Sequence, residues 1–178
     1  MVAAKPQLEA AVVTYPGFED IAALEVNELI GAKAAAAKAG IVEFQARNPL
    51  DLCKLCYLSQ SASQVLLQGL QVNPFDLGIR EHAVFGKSDD LPGSLAYLLL
   101  RASGYTADKF LFDPFTRSGA IAIEAALFSS GFPVNHYRKD ALSSALSRLP
   151  QLRGVDFEAI FSKAEKETAI MAKRRLKG

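Results

Sequence analysis

The first 72 residues alternate between strand-like and helix-like segments, and this order restricts the folds that the chain can adopt. Three segments have the apolar composition or alternation that favours β-strands: AAVVTY (10–15), GIVEFQA (40–46) and SASQVLLQGLQV (61–72). The run Ala34–Ala39 is ambiguous, because alanine favours helix while the run lies between a helix end and a strand. We interpret it as a weak strand or a turn.

Two helix-like segments separate these strands. FEDIAALEVNELIGA (18–32) places Glu19 and Asp20 in its first turn, where the helix dipole favours acidic groups, and Gly31 at its C-cap. A second helix is predicted over Pro49–Ser59, with proline near the first helical position. The order βαββαβ predicts a ferredoxin-like unit that spans roughly residues 8–72.

The second half of the chain has a different pattern. Residues 73–92 are rich in proline, glycine and aspartate, which predicts a linker or loop. Helices are predicted over Ser94–Ser103, over SGAIAIEAALFSSG (118–131) and near the end of the chain, where Asp156 is a candidate N-cap. FPVNHYRKDAL (132–142) is polar and is interpreted as irregular. The predicted class is α/β, with domains at 1–72 and 93–178 joined by the linker 73–92.

The segment 110–124 has the pattern of a ligand-binding connection. It contains an apolar strand, an acidic residue, a turn and the start of a helix: Phe110–Phe112, Asp113, Pro114–Gly119 and Ser118. In open α/β sheets, ligands bind outside the carboxyl ends of strands, against the N–H groups of the next helix. The N–H groups of residues 118–120 are therefore candidates for receiving a carboxylate, although an ordinary strand-to-helix connection explains the turn alone equally well.

The surrounding sequence resembles a known family. DPFTRSGAIAIEAAL (113–127) is similar to the motif DPFCGSGTIxIEAAL of the THUMP-domain RNA guanine-N2 methyltransferases. LPGSLAYLLLRASGY (91–105) resembles the helix that precedes this motif, and GFPVNHYRKDAL (131–142) resembles the segment that follows it. TYPGFEDIAALEVNEL (14–29) and SQSASQVLL (59–67) resemble the N-terminal ferredoxin-like domain of these enzymes. The resemblance touches most of residues 10–165 and implies that residues 93–178 are a partial Rossmann-like methyltransferase segment.

The resemblance also implies a cofactor and a substrate. The cofactor would be S-adenosylmethionine, and the methyl acceptor a guanine exocyclic amine in tRNA or rRNA. The implied cofactor-binding residues are Asp113, Phe115, Thr116, Ser118, Gly119, Ala120 and Glu124. Of these, Glu124 lies about one helical turn beyond the loop, where it could face the ribose or support the loop.

This chain departs from the family motif inside the loop. Thr116 and Arg117 stand where the family has Cys-Gly, and Ala120 stands where it has Thr. Glycine in such a loop permits a positive φ and a close approach of backbone to ligand. We therefore expect Arg117 to be strained if its φ is positive, and its side chain to leave the pocket. A salt bridge from Arg117 to the methionine carboxylate is the alternative.

Further departures concern segments that the family has and this sequence does not show. Residues 73–92 alone stand where the family carries a THUMP domain of about 100 residues. No later strand with a ribose-binding acid and no Asn/Asp-Pro-Pro-Tyr motif occurs, so no catalytic residue is identified. We expect a chain that is incomplete as an enzyme and needs a second protein chain, or further copies of itself, to complete the sheet. The alternative is a catalytically inactive accessory subunit that binds RNA or protein.

Basic residues after the motif suggest contacts with RNA. His136, Arg138 and Lys139 surround Tyr137, and such side chains bind phosphate or stack on bases. A solvated loop explains the same residues equally well. The formal net charge of +1 argues against a strongly basic, RNA-coating surface.

The two cysteines, Cys53 and Cys56, form a C-x-x-C pair. A metal site would need more ligands, and the histidines, His82 and His136, are far away in sequence. A redox pair usually opens a helix after a strand, whereas this pair lies inside an apolar helical pattern. We interpret both cysteines as buried core residues and expect no metal site.

Composition places the chain among soluble proteins. Half of its 178 residues are hydrophobic and 22% are charged, which is enough to form a packed core. The longest apolar run, Leu95–Leu100, is far shorter than the ~20 residues that cross a membrane, and the N-terminus does not resemble a signal peptide. We expect a cytoplasmic protein with no membrane contact.

Overall fold

The computed structural model describes residues 8–81 and 90–176. Its first part has the predicted order of strands and helices. The elements are β1 (Leu8–Val13), α1 (Glu19–Ile30), β2 (Ala34–Lys38), β3 (Ile41–Ala46), α2 (Leu50–Leu58) and β4 (Gln64–Leu67). The ambiguous alanine run therefore forms a strand, and both helices lie within one or two residues of their predicted bounds.

The strands form one antiparallel sheet in the order β2-β3-β1-β4-β5, where β5 is Leu70–Gln71. Strand β1 lies between β3 and β4, so that Val12 faces Val42 on one side and Val65 on the other. This arrangement confirms the ferredoxin-like unit. The single strand predicted over residues 61–72 is wrong, because Gln68 and Gly69 have φ values of 50° and 80° and turn the chain into a hairpin.

One carboxylate connects the first helix to the sheet. Glu19, in the first turn of α1, accepts hydrogen bonds from the N–H groups of Gly17 (2.9 Å) and Gly40 (2.6 Å). The bond from Gly40 is the main reason why the pKa of Glu19 lies below its ordinary value. The sequence feature that predicted the helix start thus also connects α1 to the β2–β3 turn.

Helices α1 and α2 cover one face of the sheet and form the core with it. Val12, Val42 and Val65 of the sheet are completely buried beneath them. Val26 of α1 and Leu55 of α2 pack into the same cluster. Burial of aliphatic side chains at this spacing is the main stabilising term of such a small unit.

The second part of the described chain is helical. Its elements are α3 (Gly93–Ala102), α4 (Ala120–Ser130), α5 (Lys139–Leu146) and α6 (Phe157–Arg175), with 3-10 turns at His136–Arg138 and Pro150–Leu152. Helices α5 and α6 pack on α2, where the rings of Tyr57 and Phe161 lie 4.4 Å apart. One hydrophobic core therefore runs from the sheet to α6, and the division into domains at 1–72, 73–92 and 93–178 stays a prediction. Together the two parts give the chain the predicted α/β class.

The strand predicted at Phe110–Phe112 is wrong. This segment has no regular structure, and the side chains of Phe110 and Phe112 are 91% and 76% exposed. A strand requires a neighbouring strand for its hydrogen bonds, and no strand among residues 8–81 and 90–176 pairs with this segment. The apolar composition predicted burial that this fold does not provide.

Two other predictions for the second part have different outcomes. The segment 132–142, predicted to be irregular, contains a 3-10 turn and the start of α5. Leu142 and Leu146, four residues apart on α5, are both fully buried. Packing of this face therefore stabilises a helix that the polar composition of the segment did not predict. The N-cap of α6 is confirmed, because Asp156 accepts a hydrogen bond from the N–H of Ala159 at 3.0 Å.

Candidate cofactor-binding loop

The loop before α4 is organised by its own acidic residue. Oδ1 of Asp113 accepts the N–H of Phe115 at 3.1 Å, and the hydroxyl of Thr116 donates to the carbonyl of Asp113 at 3.1 Å. These bonds close a tight turn directly after the exposed phenylalanine segment. The carboxylate of Asp113 therefore has a structural partner within the loop.

Gly119 is the residue at which the loop becomes a helix. Its φ of 76° lies in the left-handed region, where a side chain is strained, and α4 begins at the next residue rather than near Ser118. The first N–H groups of an α-helix have no partner within the helix, and the helix dipole adds partial positive charge there. The loop therefore directs the N-terminus of α4 towards a position that suits an anion.

An open groove of about 520 Å³ lies at this helix end. Five of the predicted cofactor residues line it: Asp113, Phe115, Ser118, Gly119 and Ala120. Asp90, Leu91 and Pro92, which precede α3, also line it. Thr116 and Glu124 are not among the lining residues. The volume lies in the range of small-molecule sites, so the geometry is compatible with a nucleoside cofactor.

Arg117 adopts a different arrangement from the one expected. Its φ is not positive, since Gln68 is the one non-glycine residue with positive φ among the described residues. The side chain lines the groove instead of leaving it, and its Nη2 lies 4.0 Å from Oδ1 of Asp90. The groove therefore has a cation at one wall, where it could pair with a carboxylate, and the residue that replaces the family glycine is accommodated without backbone strain.

Glu124 lies inside the protein and not at the groove. Its side chain is 1% exposed and accepts hydrogen bonds from Nε of Arg80 (2.7 Å), Nη2 of Arg80 (3.1 Å) and Nε2 of Gln60 (2.7 Å). The structure therefore separates Glu124 from the other candidate residues. Its side chain does not face this groove, and so does not face a ribose there. It connects α4 to the loop after α2 instead.

Sequence reasoning missed the partners of Glu124. Arg80 falls in the predicted linker, whose residues 82–89 lie outside the described residues, and its side chain is 3% exposed. A Cβ at Gly93 would lie 2.5 Å from Cγ of Arg80 and 2.8 Å from Oε1 of Glu124, so this position needs glycine for space. No local signal predicts these contacts, because Gln60 and Arg80 lie 64 and 44 positions away from Glu124 in the sequence.

The three predicted RNA-binding residues each have an acidic partner within the chain. Nδ1 of His136 and Nζ of Lys139 lie 3.2 Å and 2.9 Å from Oε1 of Glu165. Nε of Arg138 lies 3.5 Å from Oε2 of Glu81, and its guanidinium packs over the ring of Phe75. These contacts explain why the residues are partly buried, and a role in RNA binding stays a prediction.

Glu165 is the centre of a polar cluster with Tyr57, His136 and Lys139. Burial raises the pKa of Glu165, but hydrogen bonds from Tyr57, Lys139 and His136 outweigh it, so that this pKa lies below the ordinary value. Burial, followed by the hydrogen bond to Glu165, raises the pKa of Tyr57. The carboxylate is therefore ionised at neutral pH and the phenol is protonated.

The cysteines are confirmed as buried core residues of α2. Cys53 and Cys56 are both 0% exposed, and burial raises the pKa of the Cys53 thiol to about 12. A thiol in this state is a poor nucleophile and a poor metal ligand. Within residues 8–81 and 90–176, no group of three or more histidine, cysteine, aspartate or glutamate side chains is arranged to hold a metal ion. In the same residues, no helix is both long and apolar enough to cross a membrane.

A family model matches the part of the chain that contains the groove. The model, described as UPF0020, RMKL-like, methyltransferase domain, matches residues 80–176, which is more than half of the chain. The chain belongs to this family. The candidate loop and the groove beside α4 therefore lie within a methyltransferase-family segment. A comparison with curated proteins gives no match.

Solved structures share the fold of this UPF0020 family member. A predicted N6-adenine-specific DNA methylase from Listeria monocytogenes str. 4b F2365 matches 93% of this chain and 64% of its own, with a TM-score of 0.74 and 12% identity. A possible methylase from Clostridium difficile 630 matches 94% and 65%, with a TM-score of 0.70 and 12% identity. SMU.472, described as a candidate methyltransferase complexed with SAH, matches 96% and 65%, with a TM-score of 0.62 and 16% identity. The chain thus spans slightly less than two thirds of each matched protein.

Proposed function

We propose that this protein is a component of an S-adenosylmethionine-dependent RNA methyltransferase that modifies the N2 amine of guanine in tRNA or rRNA. The observation that carries the proposal is the groove at the N-terminus of α4, lined by Asp113, Phe115, Gly119 and Arg117 within the family segment. The match to the family motif in residues 113–127 supports the choice of guanine N2, and the SAH bound to SMU.472 supports the choice of cofactor.

The residues that line the groove suit the parts of this cofactor. The first N–H groups of α4 and the guanidinium of Arg117 suit its carboxylate, and Phe115 offers an apolar ring. When bound, the cofactor supplies a methyl group on a sulfonium sulfur. Transfer of this methyl group to the guanine amine would leave SAH as the other product and release one proton from that amine.

Calorimetry with S-adenosylmethionine and with SAH tests the cofactor site directly. We expect both to bind the purified chain at one site, because both carry the carboxylate that suits Arg117 and the N-terminus of α4. Methylation assays with tritiated cofactor then compare RNA and DNA, and nucleoside analysis of the product separates N2-methylguanine from N6-methyladenine. Failure of both cofactors to bind would remove the cofactor assignment, and a labelled adenine in DNA would replace the substrate.

The exposed phenylalanines support a proposal about partners. Phe110, Phe112 and Phe115 are 91%, 76% and 88% exposed within six residues. Apolar patches of this kind usually mark an interaction surface. We propose that a strand from a second chain, or from a second copy of this one, pairs with residues 110–112 and covers the rings of Phe110 and Phe112.

A further inference from the structure

The guanidinium of Arg80 is held in one orientation inside the protein. Its Nε and Nη2 donate to the two carboxylate oxygens of Glu124 at 2.7 Å and 3.1 Å. Nη1 donates to the carbonyl of Leu77 at 2.5 Å, and Nη2 also donates to the carbonyl of Gln60 at 2.8 Å. Arg80 therefore joins three separate segments of the chain through one planar group.

Gln60 holds the other side of the same carboxylate. Its Nε2 donates to Oε2 of Glu124 at 2.7 Å and to the backbone carbonyl of Glu124 at 3.2 Å. Gln60 is 7% exposed, and the side chains of Arg80 and Glu124 are more deeply buried still. Both the side chain and the backbone of α4 at Glu124 are therefore bound to groups outside that helix.

This network contacts both segments of the chain that line the candidate cofactor groove. Glu124 lies about one helical turn after Ala120, the lining residue at which α4 begins. Gly93 follows Pro92, another lining residue, and packs so closely on the network that an added Cβ would lie 2.5 Å from Cγ of Arg80. Neither Arg80 nor Glu124 is among the described residues that line the groove. The starts of α3 and α4 therefore meet at one buried group that is not itself part of the groove.

A buried ion pair of this kind fixes geometry more than it adds stability. The desolvation of both charges offsets their attraction, so that an apolar pair of similar volume is often at least as stable. The planar fork of an arginine matches a carboxylate in one direction and at one distance. Binding sites require lining groups that are held to within about 0.5 Å, and such precision comes from buried hydrogen-bonded neighbours.

We propose that Arg80 is a positioning residue for the groove at the N-terminus of α4. Through its contacts with Glu124 and Gly93, it holds residues 118–121 and residues 90–92 at the spacing that ligand binding requires. The identity of the ligand, S-adenosylmethionine, rests on the proposed function, whereas the control of this spacing by Arg80 does not.

Arg80→Lys tests the proposal, because lysine keeps the positive charge and loses the planar fork. S-adenosylmethionine and SAH are titrated by calorimetry into the full chain, at a temperature at which circular dichroism shows each variant to be folded. We expect Arg80→Lys to weaken the binding of both ligands at least tenfold, because a small displacement of lining groups has a large effect. Wild-type affinity in a folded Arg80→Lys variant overturns the proposal.

Arg101→Lys is the matched control. Arg101 of α3 donates to both carboxylate oxygens of Glu28 of α1, at 2.8 Å and 3.2 Å, and its side chain is 11% exposed. Neither residue is among the described residues that line the groove. We expect Arg101→Lys to lower the urea midpoint of unfolding and to leave both affinities within twofold of the wild type. An equal loss of affinity in Arg80→Lys and Arg101→Lys would indicate a general effect of lost stability and overturn the positioning role.

Nuclear magnetic resonance of the ligand-free chain separates this proposal from the proposed function. In Arg80→Lys, we expect the backbone amide signals of Gly93, Gly119 and Ala120 to shift, and in Arg101→Lys we expect the same signals to keep their wild-type positions. If the wild type binds neither ligand, the cofactor assignment fails, while these shifts still support the positioning role. Unchanged signals in Arg80→Lys overturn the proposal whether or not a ligand binds.

Gly93→Ala is a second variant that keeps every charge. The added Cβ would lie 2.7 Å from Nε of Arg80 and 2.8 Å from Oε1 of Glu124, so it forces the start of α3 away from the network. The φ of Gly93 is not positive, so backbone strain does not contribute. We expect the same amide signals to shift and both affinities to fall at least tenfold. A folded Gly93→Ala variant with unchanged signals and affinities overturns the proposal even if Arg80→Lys does not fold.

Discussion

Arg80 and Glu124 form an ion pair inside the protein, with Nε of Arg80 2.7 Å from Oε1 and Nη2 3.1 Å from Oε2 of Glu124. The two side chains are 3% and 1% exposed. Nη2 of Arg80 also donates to the carbonyl of Gln60 at 2.8 Å. The pair therefore joins the ferredoxin-like unit to α4, the helix whose N-terminus forms the candidate cofactor site.

Removal of one partner of this pair should destabilise the protein strongly. We expect Glu124→Ala to lower the free energy of unfolding by about 3–5 kcal/mol, because it leaves the guanidinium of Arg80 buried without its counter-charge. Urea unfolding followed by circular dichroism measures the change. Glu167→Ala, which breaks the more exposed pair with Lys54, is the control and should cost less than about 1 kcal/mol. Equal effects of the two variants would contradict a special role for the buried pair.

The absence of a side chain at Gly119 should matter more for cofactor binding than for the stability of the protein. Gly119→Ala places a side chain at a φ of 76°, which costs about 1 kcal/mol and favours a changed loop. We expect the affinity for S-adenosylmethionine to fall about tenfold, measured by calorimetry. Gly154→Ala is a matched control, because Gly154 also has a positive φ (74°) and no atom would lie within 4 Å of the added Cβ. The Gly154→Ala variant should lose a similar free energy of unfolding and keep its affinity for S-adenosylmethionine.

Gly40, in the β2–β3 turn, should tolerate substitution poorly. Its φ is 73°, and an added Cβ would lie 2.9 Å from the carbonyl oxygen of Thr14. Gly40→Ala should therefore lower the free energy of unfolding by about 2–4 kcal/mol, the sum of backbone strain and a backbone clash. Gly69→Ala, at a φ of 80° with no atom nearby, should cost only about 1 kcal/mol in the same urea assay.

The polar cluster at Glu165 predicts a pH dependence of stability. The pKa of Glu165 in the folded state lies below its ordinary value of 4.5, so the carboxylate stabilises the fold above that pH. This contribution is lost as the pH falls through the lower, folded-state pKa. We expect Glu165→Gln to be less stable than the wild type at pH 7, by about 1 kcal/mol because the group is partly exposed, and the difference to shrink below pH 4.5. Glu43→Gln, at an exposed position of β3, should show no such change.

The exposed phenylalanines predict association. Light scattering of the wild type should give a mass above 19.2 kDa at high protein concentration if a second copy covers residues 110–112. Phe110→Ser combined with Phe112→Ser should return the mass to 19.2 kDa without loss of stability, because both side chains are exposed in the single chain. A wild type that stays monomeric throughout would exclude a second copy and leave a different chain as the partner.

Local sequence patterns predicted the elements that depend on neighbouring residues. The acidic first turn and Gly31 marked α1, and Asp156 marked α6, because caps and dipole effects act within one turn of a helix. The alternation in residues 40–46 predicted β3, because one face of that strand is buried. The turn Pro114–Gly119 and the helix after it were also predicted locally, although that helix begins at Ala120 rather than near Ser118.

Tertiary structure decided the features that depend on distant partners. Phe110–Phe112 has the composition of a buried strand, yet it is irregular here because backbone hydrogen bonds of a strand come from another strand. The match to the family motif placed Glu124 near the cofactor, whereas Arg80 and Gln60, distant in sequence, fix it in the interior. The sequence by itself therefore predicted the ferredoxin-like unit and the methyltransferase character of the segment that contains the loop, and the guanine-N2 substrate stays a proposal. Only the folded chain determined which side chains meet, because ion pairs and strand pairing join residues that no local pattern connects.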